Sequence, residues 1–173
     1  MKLIHKKQHR EVYEDGNYIV KKTTSDAFDF DMYRRFQLDN PWCVKVHSFE
    51  DGVIVMDKVL GDSWWRYVRR STPTQLWNIC FTFRNETVKS FFDFMGSTYI
   101  EDANQLVFFN ADATEGNLII QGDKPMFIDP DGFCRQSWDI FILKVLEHNN
   151  HWFNLYVHYA HRNTNKDFKF FTN

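Results

Sequence analysis

Apolar and polar positions alternate over the first third of the chain. Residues 11–14 and 18–22 read as strands, because successive strand residues face opposite sides, and Asp15-Gly16-Asn17 between them is a strong hairpin-turn signal. Residues 43–49 and 53–57 repeat the pattern about Glu50-Asp51-Gly52. Between the two pairs the period changes. Phe28, Met32 and Phe36 recur four apart, which predicts a helix over 27–38, opened by the capping side chains of Thr24-Ser25-Asp26 and stopped at Asn40-Pro41.

Beyond Gly61 the pattern is mainly helical. It predicts a short helix over 63–70, then one long helix or two over 72–95, with Pro73 suited to a first turn. Two closing helices are predicted over 138–148 and 151–161, and the tail 163–173 reads as a strand or a frayed end. Set among the helices, residues 118–121 and 125–128 are short apolar runs about Gly122-Asp123, the pattern of a tight hairpin.

Composition narrows the class. A chain of 173 residues with 43% hydrophobic content can bury a core as one domain or two tightly packed lobes, and 18 phenylalanines make that core aromatic. A net charge of −2 gives no electrostatic case for nucleic acid or an anionic membrane as partner. No apolar run has the length of a membrane span, and the polar start Met1-Lys2-Leu3-Ile4-His5-Lys6-Lys7 does not resemble a signal peptide. Cys43, Cys80 and Cys134 are odd in number and far apart, which suits buried thiols in a reducing cytoplasm. His148, His151, His158 and His161 crowd the closing helices without a Glu between them in metalloprotease spacing, and are expected to be surface and boundary residues. Trp64-Trp65-Arg66 is expected to serve helix packing and a solvated face.

Chemistry concentrates in the second half. Asp112 and Asn117 stand at the spacing D-x4-N, and Asp129 follows across the predicted hairpin, which would bring Asn117 and Asp129 to one mouth. Phosphoryl transfer needs such a trio: a carboxylate for the attacking hydroxyl, and an amide oxygen and second carboxylate for Mg²⁺ on the phosphates. Asp112 is the candidate catalytic residue; Asn117 and Asp129 are the candidate metal ligands.

These segments resemble the protein-kinase-like superfamily. Asn110 to Asn117 is similar to its His-x-Asp-x4-Asn catalytic loop, with Asn110 in the place of the His. Ile128-Asp129-Pro130-Asp131-Gly132 is closer to the metal segment of the aminoglycoside and small-molecule phosphotransferase branch than to Asp-Phe-Gly of protein kinases. Ser137-Trp138-Asp139-Ile140 resembles the helix start that follows in that branch. The resemblance implies an α+β, minimal bilobal protein-kinase-like fold. Residues 1–58 would be an N-terminal lobe, a small antiparallel sheet plus helix. Residues 59–173 would be a reduced helical C-terminal lobe with the catalytic hairpin.

It also implies further site residues. Tyr18-Ile19-Val20-Lys21 resembles the strand whose lysine contacts the nucleotide phosphates, and alternation allows only one of Lys21 and Lys22 into the cleft; motif position selects Lys21. The helical acid that partners this lysine is usually Glu; here only Asp29 and Asp31 are available, and Asp31 is the candidate. Residues 53–61 resemble the hinge, where backbone groups of Asp57, Lys58 and Val59 would meet adenine. A glycine-rich phosphate turn is missing from Lys7-Gln8-His9-Arg10-Glu11, and the helices that would bind acceptor are expected to be short or absent. The implied activity is an ATP- and Mg²⁺-dependent phosphotransfer to a hydroxyl of a small molecule or protein. The alternative is a catalytically inactive kinase-like module that binds or inhibits a protein partner.

Overall fold

The structure, a computed structural model, describes residues 1–7, 10–24, 28–98, 106–110 and 114–168. Its first layer is a five-stranded antiparallel sheet in the order β1-β2-β3-β5-β4, formed by β1 (Lys2–Lys7), β2 (Arg10–Asp15), β3 (Tyr18–Lys22), β4 (Val46–Glu50) and β5 (Val53–Asp57). The two expected hairpins are present. Gly16 turns the first at φ +61°, and Asp51 and Gly52, at φ 49° and +73°, turn the second. β1 lies outside the sequence-predicted set: it is exposed throughout, so no apolar alternation marks it.

Helix α1 (Phe30–Asp39) packs beneath the sheet through Met32, Tyr33 and Phe36. It starts three residues later than the pattern predicts. The cap is Asp29, whose carboxylate accepts the Met32 N–H at 3.0 Å. Among the expected capping residues, Ser25 and Asp26 lie outside the described part of the chain.

The second layer begins with β6 (Asp62–Ser63) and α2 (Trp64–Val68). α3 (Pro73–Trp77) opens on a capping box between Thr72 and Gln75 with Pro73 in the first turn, and runs through a π-helical turn at Asn78–Thr82 into α4 (Phe83–Thr98). Then come β7 (Val107–Asn110), β8 (Leu118–Gln121), β9 (Lys124–Phe127), β10 (Phe133–Gln136) and α5 (Trp138–Phe168). β6, β8 and β9 form one small sheet, and β7 and β10 a second. From Trp138 to Phe168 the chain is one helix of 31 residues, where two helices and a separate tail were expected; the last part of that tail, 169–173, lies outside the described residues. No Gly or Pro interrupts the helix, and Asn149-Asn150 lie within it and do not end it.

The phenylalanines explain how the layers join. Tyr33 and Phe36 of α1 meet Phe133 at ring-centroid distances of 4.9 and 5.3 Å, and Phe36 meets Trp42 at 5.6 Å. Trp42 meets Phe83 at 5.5 Å, Phe83 meets Trp152 at 5.3 Å, and Trp152 meets Trp64 at 5.7 Å. Most of these contacts are edge-to-face, the favoured arrangement of aromatic quadrupoles. One continuous aromatic core thus runs from beneath the sheet to the far helices. The backbone adds a second join: Phe127 donates its N–H to the Trp42 carbonyl at 2.7 Å and accepts the Val44 N–H at 2.9 Å. Among the described residues, no helix is long and apolar enough to cross a membrane.

Candidate active site

Strand alternation decides the lysine. Lys21 is 5% exposed and points beneath the sheet, whereas Lys22 is exposed and pairs with Glu11 at 3.6 Å. Lys21 Nζ donates to Asp129 and, at 2.5 Å, to Asp131 Oδ1. The other oxygen of Asp131 accepts the Thr23 hydroxyl at 2.7 Å. Lys21 and Asp131 are buried, and one cation between two carboxylates leaves this pocket acidic in balance. Burial, helped by Asp131 and opposed by Lys21, pushes the Asp129 carboxyl up to about 6. Burial acts the same way on Asp131, but Lys21, the hydrogen bond from Asp129 and the Thr23 hydroxyl outweigh it, so its carboxyl stays below the usual range.

The β8–β9 hairpin brings the metal candidates together. Leu118 lies opposite Phe127, and the Ile128 N–H donates to the Asn117 carbonyl at 2.9 Å, so Asn117 and Asp129 flank the same strand end. Asn117 closes a 3₁₀ turn, Glu115–Asn117, whose Glu115 carboxylate lies 2.6 Å from His151 Nε2 on α5. His151 holds the Glu115 carboxyl below its ordinary range against the effect of burial. His148 lies 2.9 Å from the Thr87 hydroxyl. His148 thus ties α5 to α4, and His151 ties α5 to the turn that carries Asn117. Among the described residues, no group of three or more His, Cys, Asp or Glu forms a metal cage.

Asn110, standing where the resemblance has His, is buried at the end of β7. Its carboxamide lies against Gly132, where a Cβ would come within 3.0 Å of Nδ2 and of Oδ1. Asp112, two residues on, lies outside the described residues.

The segment leaving the sheet is held on the sheet side. Asp57 donates its N–H to the Lys45 carbonyl and Lys58 its N–H to the Asn17 carbonyl, each at 2.9 Å. Their side chains are also engaged, Asp57 with His47 at 2.6 Å and Lys58 with Glu14 at 2.7 Å. Val59 follows, half-buried.

Lys21, Asp57, Lys58, Val59, Asn117 and Asp129 all line one cleft of about 680 Å³ between the sheet and the β8–β9 hairpin. Asp31 does not join them. It lies on the outward face of the first turn of α1, since Met32, Tyr33 and Phe36 take the inward face, and it lines a separate groove with Arg34, Arg35 and Lys45. The acid that sequence reasoning sought on the helix comes from elsewhere. Asp131 and Thr23 were missed. The only signal was the second acid of Asp129-Pro130-Asp131, which the 3₁₀ turn Pro130–Gly132 folds back toward Lys21.

This arrangement is a protein-kinase-like fold: a small antiparallel sheet with one helix, a cleft, and a mostly helical layer bearing the hairpin of Asn117 and Asp129. Solved structures share it. PK-1, the kinase of Cydia pomonella granulovirus, superposes with a TM-score of 0.53 at 16% identity, over 78% of this chain and 54% of that one. A gentamicin complex of APH(2″)-IIa gives 0.56 at 13% identity, over 96% of this chain and 81% of the other. A streptomycin–ATP ternary complex of APH(2″)-IIa gives 0.53 at 15% identity, over 87% and 78%. The chain thus spans about half the length of the viral kinase it matches. No family model and no curated protein sequence matches it.

Proposed function

We propose that this protein is a nucleotide-dependent phosphotransferase acting on a hydroxyl group. The observation that carries the reading is the convergence of Lys21, Asn117 and Asp129 on one cleft with the segment Asp57–Val59. In this reading Lys21 binds the phosphates of ATP, and the Val59 backbone meets the adenine edge, since the Asp57 and Lys58 amides are already engaged. Asn117 and Asp129 would hold Mg²⁺. Two hard oxygen donors opening on the same cleft fit that ion, which needs only one or two protein ligands beside the phosphates. Bound there, it would offset phosphate charge. Asp112 orients the acceptor hydroxyl, and the aromatic core fixes the hairpin that follows it.

The structural neighbours named for ATP, streptomycin and gentamicin support a nucleotide and a hydroxyl-bearing small molecule as the pair of ligands. A protein hydroxyl is the other acceptor class in this reading. Free, buried Cys43, Cys80 and Cys134 support a reducing compartment such as the cytoplasm. A second reading, a catalytically inactive module that binds a protein, draws on one observation: Lys21 is held by two carboxylates.

Phosphate transfer by the parent protein and Asp112→Asn separates the two. The enzyme reading expects equal ATP affinity and a rate about a hundredfold lower in the variant, the scale of a lost acid–base group. ATP binding without turnover in the parent, with water or any hydroxyl pool as acceptor, would establish the binding module instead.

A further inference from the structure

The roof of the cleft carries cations that the known motifs do not use. Directly opposed residues of antiparallel strands point to the same side. Lys7 lies opposite Arg10, His5 opposite Val12, and Val12 opposite Lys21. These residues therefore share the lower face of the sheet, and all of them line the cleft with Asn117 and Asp129. Arg10 stands two residues along β2 from Val12, about 7 Å at strand spacing, within reach of a chain of phosphates that starts at Lys21.

The two faces of these strands differ in charge balance. On the outer face, Lys6 and Lys22 lie 2.7 and 3.6 Å from Glu11, and Tyr13 donates to the same carboxylate at 2.7 Å. On the cleft face, Glu14 is taken by Lys58, and Asp129 by Lys21. Among the described residues, Lys7 and Arg10 have no carboxylate partner. Two cations thus extend from the facing ends of β1 and β2 into the cleft, each without a carboxylate of its own among the described residues. In sequence, residues 7–11 stand where the resemblance implies a glycine-rich turn, and they contain no Gly.

We propose that Lys7 and Arg10 clamp the phosphate chain of a nucleoside polyphosphate by side-chain charge, in place of a glycine-rich turn. The proposal rests on the nucleotide reading of the cleft and adds a ligand preference to it. Affinity rises with the number of phosphates, triphosphate over diphosphate over monophosphate, and is steeply salt-dependent because the cations are solvent-facing.

Calorimetric titration of the full chain with adenosine, AMP, ADP, ATP and inorganic tripolyphosphate tests this, in the parent and in Lys7→Ala/Arg10→Ala. Both side chains are exposed, so the variant keeps its fold, as a thermal melt would verify. The expected result is unchanged adenosine affinity and ATP affinity lower by roughly tenfold or more at low salt. The difference shrinks at about 0.5 M salt, and Lys7→Arg/Arg10→Lys restores parent behaviour. Equal loss for adenosine and ATP, or no loss for either, overturns the clamp. If the parent binds tripolyphosphate through Lys7 and Arg10 but neither adenosine nor ATP, the clamp stands and the nucleotide reading falls. Binding of none of the probes overturns both.

Discussion

Thr23 donates its hydroxyl to Asp131 at 2.7 Å, and this bond orients the carboxylate that receives Lys21 on its other oxygen. Thr23 follows Lys21 by two residues, so strand alternation brings both to the same buried carboxylate. Asp131 is therefore expected to position Lys21 and not to bind metal. Asp131→Asn should weaken ATP by about tenfold, the loss of one charge-assisted hydrogen bond, while the Mg²⁺ dependence of binding stays. Thr23→Val should cost about 1 kcal/mol of stability. Titrations with and without Mg²⁺ check the first point, and a loss of Mg²⁺ dependence in Asp131→Asn would move that residue to the metal.

Lys21 and Lys22 should separate cleanly. Lys21→Ala leaves two buried carboxylates without their cation, which destabilises by about 3 kcal/mol or more, and it should remove ATP binding. Lys22→Ala removes an exposed pair and should change stability by less than about 0.5 kcal/mol, with ATP affinity intact. Denaturant melts and ATP titrations of both variants decide it.

The carboxyl of Asp129 sets a pH dependence in metal-free protein. Its folded value of about 6 lies above the ordinary 3.8. The folded state therefore holds this proton more tightly than the unfolded chain. The associated stability is complete below pH 3.8 and is lost as pH rises through about 6. Asp129→Asn lacks this titration. Its melting temperature relative to the parent should climb between pH 4 and pH 7, by an amount equivalent to up to about 3 kcal/mol. A difference that is flat across that range would mean that Asp129 is ionised throughout.

Two glycines of the motif region should behave differently. A Cβ at Gly132 meets the Asn110 carboxamide at 3.0 Å, whereas at Gly116 the nearest atom, Thr114 Oγ1, is 4.0 Å away. Gly132→Ala is expected to cost about 1–3 kcal/mol by overpacking a buried group, and Gly116→Ala much less. Chemical denaturation of the two variants is the measurement.

Much of the fold was legible because it is local. Hairpins announce themselves through Gly16, Gly52 and Gly122, each at positive φ, and the apolar runs about Gly122-Asp123 marked the hairpin that sets Asn117 and Asp129 on one cleft. β1 was not legible, since an edge strand exposed on both faces has no apolar period. The boundary of α1 depended on which of several Asp and Ser residues caps it, a choice made by tertiary contacts such as the 2.6 Å bond from Arg135 to Asp29. The partner of Lys21 was unreadable for a related reason. Asp131 is 110 residues away in sequence, and only the turn at Pro130–Gly132 aims it.

The bonds from Phe127 to Trp42 and Val44 have a mechanical consequence. They fasten the strand that leads to Asp129 onto the connection between α1 and β4. Floor and roof of the cleft are then coupled by this bridge as well as along 58–61, and prying them apart would require shearing backbone bonds beside a packed tryptophan. Widening of the cleft should accordingly come from bending within its walls and not from the rocking of two bodies.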